Sequence, residues 1–219
     1  MRPDAHPDEV RDWVRRRLDP LESYETERPH RSDFDLNPEM TPKGETTLVP
    51  AAVLVPLVER DDGLSVLLTR RADTLRRHTG QVALPGGRID PGETPWEAAL
   101  REAEEEIGLS RDRVELAGLS TRYRTGTNYL ITPVVGFVTL PIDLTPNPHE
   151  VAEIFETPFG FLMDPANHER RYYDQPSGER RYFYAMTHEE RVIWGATAGM
   201  LRALYDRLYG ALEAAPGGV

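Results

Sequence analysis

Residues 87–109 read GRIDPGETPWEAALREAEEEIGL, and this stretch predicts both a helix and the turn that leads into it. Thr94 can cap the start of the helix, Pro95 suits its first turn, and Gly108 is a typical C-terminal stop. We therefore expect a helix over residues 94–107. Its apolar stripe recurs with the helical period and consists of Trp96, Leu100, Ala103 and Ile107.

The same helix carries three closely spaced glutamates, Glu102, Glu105 and Glu106. Their i, i+3 and i+4 spacing puts them on one face, whereas Glu104 points elsewhere, toward solvent. Like charges at this spacing repel one another, and a hard divalent cation such as Mg²⁺ or Mn²⁺ would remove that penalty. A solvated acidic helix face explains the glutamates equally well when they are taken alone.

The residues around the glutamates favour the metal site. Gly87, Glu93, Arg101, Glu102, Glu105, Glu106, Gly108 and Leu109 fall in register with Gly-x5-Glu-x7-Arg-Glu-apolar-x-Glu-Glu-x-Gly-apolar. The stretch resembles the Nudix box of pyrophosphate-cleaving hydrolases. Ala103 is the weak match, since it is smaller than the usual Ile, Leu or Val.

The resemblance implies an α/β (α+β) fold: an α/β/α sandwich with a mixed sheet and a catalytic loop-helix-loop. It implies that Glu102, Glu105 and Glu106 are catalytic and hold Mg²⁺ or Mn²⁺, with the Gly87 carbonyl as a further candidate ligand. Glu93 and Arg101 would brace the loop against the helix, which is a structural role. The identity of the general base varies within the family and stays open.

The segment before the box narrows the substrate class. Residues 67–87, LLTRRADTLRRHTGQVALPGG, resemble the additional signature of coenzyme A pyrophosphatases, with Leu84 in place of the usual Phe. The matching positions are Leu67, Leu68, Thr69, Arg71, Ala72, Arg76, Gly80, Pro85, Gly86 and Gly87.

This second resemblance implies substrate-binding residues. Arg71 and Arg76 would anchor phosphate groups, His78 would add a hydrogen bond or charge, and Gly86 and Gly87 would let the backbone approach the ligand. The alternative to substrate binding is that each arginine faces water or pairs with one of the many acidic residues.

A segment after the box adds two further carboxylates. Residues 147–155, NPHEVAEIF, resemble the later Nudix segment in which a catalytic or metal-assisting glutamate often lies. Glu150 and Glu153 are the candidates, and Glu150 is favoured.

The rest of the chain predicts strands around this helix and a helix at each end. The first helix begins near residue 8, carries Val10, Trp13, Val14 and Leu18 on one face, and ends by Pro20. Residues 22–46 are polar and rich in proline, and predict an extended arm or loop. A hairpin is expected over 50–58 and 64–68, with a turn over 60–63 that contains Asp-Gly. Strands are expected over 114–121, 129–138 and 153–156, a meander over 171–174, 180–185 and 191–193, and a helix over 196–212.

We divide the 219 residues into an N-terminal helix and arm (1–46), a Nudix domain (47–213) and a flexible tail (214–219). The net charge of −11 argues against nucleic acid as a partner. The absence of cysteine excludes disulfides and thiolate chemistry. Because no apolar run is long enough for a membrane span or a signal peptide, we expect a cytoplasmic protein without a membrane partner.

The expected function is metal-dependent hydrolysis of the pyrophosphate bond of coenzyme A, or of a derivative, to 3′,5′-ADP and 4′-phosphopantetheine. Two alternatives remain. One is a Nudix pyrophosphatase acting on ADP-ribose, NADH or another nucleoside diphosphate derivative, and the other is a non-catalytic Nudix module that only binds a ligand. The partner is a small molecule in each case, and a homodimer is a further expectation from the resemblance.

Overall fold

The computed structural model describes residues 7–24, 30–44, 46–72 and 80–210. Arg76 and His78, two of the predicted substrate-binding residues, lie outside the described residues. The helices are α1 Pro7–Arg15, α2 Pro95–Ile107, α3 Phe159–Leu162 and α4 Ala196–Tyr209. The strands are β1 Arg31–Ser32, β2 Val49–Arg60, β3 Gly63–Arg71, β4 Val82–Ala83, β5 Gly86–Arg88, β6 Val114–Leu119, β7 Tyr123–Arg124, β8 Tyr129–Val138, β9 Val151–Pro158, β10 Glu169–Asp174, β11 Arg180–His188 and β12 Arg191–Trp194.

Within the described part of the chain, strands β1 to β9 form one mixed sheet in which β2 is central. β2 runs parallel to β8 and antiparallel to β3 and β5. The β2–β3 hairpin closes with Arg60 opposite Gly63, so the turn predicted from Asp-Gly is confirmed. β10, β11 and β12 form a separate antiparallel sheet, which confirms the predicted meander.

Alternation along β2 assigns its side chains to two cores, one on each side of the sheet. Ala52 and Leu54 belong to the core that α2 covers. Val53 and Val55 belong to the other core, with residues of α1, α4 and the second sheet. Helices therefore cover both faces of a mixed sheet, and the predicted α/β/α sandwich is confirmed.

The predicted elements differ from the structure mainly at their ends. α1 ends at Arg15 and not near Pro20, and Asp19 instead bridges to Leu119 of β6. Val10 and Val14 are buried, as the amphipathic pattern predicted. The arm was expected to be extended or loop-like, but part of it forms β1, which pairs with β7 in parallel. β1 has only two residues, which is too short to give a strand pattern in the sequence.

The division of the chain at residues 46 and 213 stays a prediction, and the predicted flexible tail, 214–219, lies outside the described residues. Across the described ranges, none of the helices combines the length and the apolar character that crossing a membrane requires.

Candidate active site

Helix α2 is fixed at both ends by its own capping residues. The Thr94 side chain accepts from the Glu97 backbone N–H at 3.3 Å, while the Glu97 carboxylate accepts from the Thr94 N–H at 2.8 Å. Gly108 ends the helix in the left-handed conformation, with φ of 70°. The predicted caps at Thr94 and Gly108 are confirmed. The second hydrogen bond of the N-terminal cap, which the Glu97 carboxylate accepts, was not predicted from the sequence. The helix thus holds its glutamates on a rigid support.

The glycine turn before the helix is bound to the central strand. Gly86 and Gly87 pair with Val53 and Ala52 of β2, and Pro85 O accepts from the Leu54 N–H at 2.8 Å. A Cβ at position 87 would stand 2.3 Å from Glu102 Oε1, which is far inside van der Waals contact. Glycine therefore lets the turn lie directly against a carboxylate of α2.

Arg101 connects the turn to the helix. It donates to both carboxylate oxygens of Glu93 (2.8 and 3.0 Å), to the Arg88 carbonyl (3.0 Å) and to Glu102 Oε1 (2.9 Å). A further contact joins it to Glu105 Oε2 at 3.4 Å. The hydrogen bonds from Arg101 lower the pKa of Glu93 to about 2, with a smaller effect from the Asp90 backbone N–H. This geometry suits the bracing role that the Nudix box implies for Glu93 and Arg101.

The three box glutamates differ in exposure. Glu106 is buried, with 4% of its surface exposed, and one of its oxygens accepts from the Gly86 N–H at 3.2 Å. The side chain of Glu102 is 17% exposed and that of Glu105 is 58% exposed. Desolvation, with smaller contributions from the charges of Glu102 and Glu150, raises the pKa of Glu106 to about 8, although the Gly86 hydrogen bond and the charge of Arg71 oppose the shift. Desolvation also raises the pKa of Glu102.

The two later glutamates lie in different surroundings. The charge of Glu150 acts on both Glu102 and Glu106, so Glu150 belongs to the same acidic cluster. Glu153 instead pairs with Arg191 at 2.6 Å and with Arg70 at 3.4 Å. These ion pairs lower the pKa of Glu153, and they leave Glu150 as the better-placed of the two carboxylates.

As the side chains lie, no group of three or more His, Asp or Glu residues within the described ranges encloses a position for a metal ion. Arg101 takes up oxygens of Glu102 and Glu105, and Glu106 is directed to the Gly86 N–H. The chemistry of the donors nevertheless fits a hard divalent cation. The cluster offers carboxylate oxygens as ligands. The carboxylates of Glu102 and Glu106 are desolvated and are repelled by neighbouring carboxylates, and a bound cation would remove this unfavourable energy.

The substrate-binding candidates within the described residues surround this cluster. Arg71 is the last residue of β3, and its backbone N–H donates to Gln81 O at 3.0 Å. Its Nε is buried and has no hydrogen-bond partner among the described residues, and its charge acts on Glu106. The Arg88 side chain, which the sequence did not single out, donates to Tyr129 Oη at 3.0 Å. No local pattern predicts that contact, because the partners are 41 residues apart.

A glycine turn held against a capped helix with carboxylates, on a mixed sheet between helical layers, defines a loop-helix-loop hydrolase scaffold. A family model described as the NUDIX domain matches residues 48–188, and the chain belongs to the Nudix family. The resemblance seen in residues 87–109 is thereby confirmed.

Two relatives agree with this assignment. The chain is 38% identical over 160 residues to the uncharacterized Nudix hydrolase NudL of Photorhabdus laumondii subsp. laumondii, covering 72% of this chain and 84% of the relative. It is 40% identical over 161 residues to NudL of Yersinia enterocolitica, covering 72% and 80%. Among solved structures, the Nudix hydrolase RenU from M. smegmatis matches with 28% identity and a TM-score of 0.44, over 51% of this chain and 71% of that one.

Proposed function

We propose that this Nudix hydrolase cleaves the pyrophosphate bond of coenzyme A, or of a derivative, to 3′,5′-ADP and 4′-phosphopantetheine, with Mg²⁺ or Mn²⁺. One observation carries the proposal. Arg71, in the segment that resembles the coenzyme A signature, has a buried Nε with no hydrogen-bond partner among the described residues, and its positive charge lowers the pKa of the buried Glu106. A pyrophosphate needs both a cationic contact and a carboxylate cluster for its metal, and these residues bring the two together.

The chain's own residues would act as follows. Glu102, Glu105 and Glu106, with the Gly87 carbonyl, would hold the cation, which supplies neutralisation of the charge on the pyrophosphate oxygens. Arg71 would contact a phosphate oxygen, and Gly86 and Gly87 would admit the substrate close to the backbone.

The bond changes in the proposed reaction are simple. A water molecule attacks one phosphorus, its oxygen forms the new P–O bond, and the bridging P–O bond breaks so that the other phosphate leaves. A glutamate accepts the proton that the water loses. Glu150 is our candidate, because it lies in the acidic cluster and Glu153 is engaged with Arg70 and Arg191.

The test is product analysis by mass spectrometry after incubation in ¹⁸O-labelled water with Mg²⁺ or Mn²⁺. Coenzyme A, ADP-ribose and NADH are offered separately. Cleavage of coenzyme A alone, with label in one phosphate product, supports the proposal. Cleavage of another substrate while coenzyme A survives would show that the signature in residues 67–87 misleads.

The non-catalytic alternative makes a different prediction, namely ligand binding without turnover of any of the three compounds. The intact glutamates of the box argue against it, since a module that only binds has no need of mutually repelling carboxylates. The cytoplasmic location and the homodimer stay predictions from the sequence.

A further inference from the structure

A cavity of about 620 Å³ lies between the N-terminal arm, the second sheet and α4. Its volume is in the range of roughly 300–1,000 Å³ that small-molecule sites have. Residues 31–36 supply part of one wall, and residues of α4, from Ala196 to Asp206, supply part of another. Both walls lie outside the residues that the Nudix model matches, 48–188.

The arm is a firmly anchored wall. Asp33 accepts from Tyr123 Oη at 2.9 Å and from the Gly126 N–H at 2.8 Å. Asn37 is 1% exposed, and its amide accepts from the Tyr182 N–H at 2.7 Å and donates to the Tyr182 carbonyl at 2.9 Å. Because these hydrogen bonds hold the arm against β11 as well as against the main sheet, the position of this cavity wall is fixed by the fold.

Aromatic rings dominate one side of the cavity. The ring of Phe183 lies 6.0 Å from that of Tyr173 and 5.5 Å from that of Trp194, so three rings adjoin along the second sheet. All three line the cavity, and Tyr173 and Trp194 are 45% and 36% exposed. Exposed aromatic faces are suited to stacking against a planar ring.

The charges in the cavity are balanced by ion pairs. Arg31 lies 3.0 Å from Asp206, Arg202 lies 3.0 Å from the same carboxylate, and Arg181 lies 3.5 Å from Asp33. A phosphate would have to compete with these carboxylates for each arginine. The lining therefore favours an uncharged group with hydrogen-bonding edges over an anion.

Hydrogen bonds connect the lining of the cavity to the site described above. Tyr129, which lines it, accepts from the side chain of Arg88, whose carbonyl accepts from Arg101. Gln81 also lines it, and its carbonyl accepts from the backbone N–H of Arg71. The cavity thus meets the two segments that the proposed pyrophosphate site uses.

We infer that this cavity binds the nucleoside portion of the substrate, with the base stacked on Tyr173, Phe183 and Trp194. The inference rests on the proposed function only in its choice of nucleoside. Coenzyme A, ADP-ribose and NADH all contain adenosine, so adenosine is the probe. The second sheet, together with the arm and α4, and not the Nudix box, then selects the substrate.

Adjacent tyrosines of β10 provide a matched test. Tyr172 and Tyr173 are 49% and 45% exposed and point to opposite faces of the strand, but only Tyr173 is among the residues that line the cavity. We would measure adenosine binding to the full chain by calorimetry for the wild type, Tyr173→Leu, Trp194→Leu and, as control, Tyr172→Leu. Thermal unfolding of each variant would establish that it is folded.

The expected result is adenosine binding that Tyr173→Leu and Trp194→Leu each weaken roughly fivefold or more, and that Tyr172→Leu changes less than about twofold. On the cleaved substrate, the first two variants should raise KM and leave kcat nearly unchanged. Equal effects of all three variants, absence of adenosine binding, or preferred binding of pantetheine would overturn the inference.

The same experiment separates this inference from the proposed function. If no pyrophosphate is cleaved but adenosine binding shows the predicted pattern, the function fails and the nucleoside site stands. If coenzyme A is cleaved but Tyr173→Leu behaves like Tyr172→Leu, the function stands and the nucleoside site fails.

Discussion

The backbone of Gly87 lies directly against the carboxylate of Glu102, so that a Cβ at position 87 would meet Glu102 Oε1 at 2.3 Å. Arg101 holds the same oxygen from another direction at 2.9 Å. The carboxylate is therefore confined between a backbone and a guanidinium. A side chain at position 87 would therefore push the Glu102 carboxylate out of its place, whatever role the Gly87 carbonyl has.

Gly87→Ala should displace the Glu102 carboxylate and lower kcat/KM roughly 100-fold, the loss expected when a reacting group is misplaced by about 1 Å. The variant and wild type would be compared by steady-state kinetics on the cleaved substrate. Gly160→Ala is the control, because a Cβ there meets nothing within 4 Å. Similar rates for wild type and Gly87→Ala would show that the position of Glu102 is unimportant.

Glu106→Gln should abolish most turnover, with a loss of roughly 100-fold or more in kcat, while the fold is kept. The amide retains the size of the buried side chain but not the charge that would hold a cation. Thermal unfolding with and without Mn²⁺ checks the cause. Mn²⁺ should stabilise the wild type and have a much smaller effect on the variant. A variant of near-normal rate contradicts the metal assignment.

Arg101→Lys should lower both the stability of the fold and the catalytic rate. A lysine cannot contact Glu93 in bidentate fashion while also reaching Glu102 and the Arg88 carbonyl. We expect the free energy of unfolding in urea to fall by about 1–3 kcal/mol, and kcat to fall more than KM rises. Arg111→Lys is the control: it alters an exposed pair with Glu104 and should cost less than about 1 kcal/mol. Equal changes in the two variants would show that the Arg101 contacts contribute no more to stability and turnover than an exposed ion pair does.

His168 should make stability depend on pH. The residue is 8% exposed, Nε2 lies 2.8 Å from the Leu162 carbonyl oxygen, and burial lowers the pKa of the imidazole in the folded protein. Because the unfolded chain binds a proton near pH 6.5 and the folded chain does so only at lower pH, stability falls as the pH drops below about 6.5.

Urea unfolding of wild type and His168→Gln at pH 7.5, 6.5 and 5.5 measures this effect. The loss of stability on acidification should be smaller in the variant. His149→Gln, at an exposed position, controls for removing one imidazole. Parallel pH dependences of wild type and His168→Gln would refute a buried titrating group at this position.

Local patterns in the sequence were sufficient for much of the fold and for the carboxylate helix. The caps at Thr94 and Gly108, the period of the apolar residues in α2 and the Asp-Gly turn between β2 and β3 act over a few residues, so each can be read without knowing the rest of the chain. The order of residues 87–109 likewise carried the resemblance to the family, and the spacing along one helix determined which of its side chains share a face.

The sequence favoured Glu150 over Glu153, but only the tertiary structure gave the physical reason, since the ion pairs of Glu153 with Arg70 and Arg191 join distant strands. It also divided the box glutamates into buried Glu106 and exposed Glu105, because burial depends on what packs against the helix. The cavity walled by residues 31–36 and α4 had no counterpart in any local pattern. Chain order determines which chemical groups are present and their spacing within each element, whereas desolvation, charge pairing and cavities arise from contacts between elements far apart in the sequence.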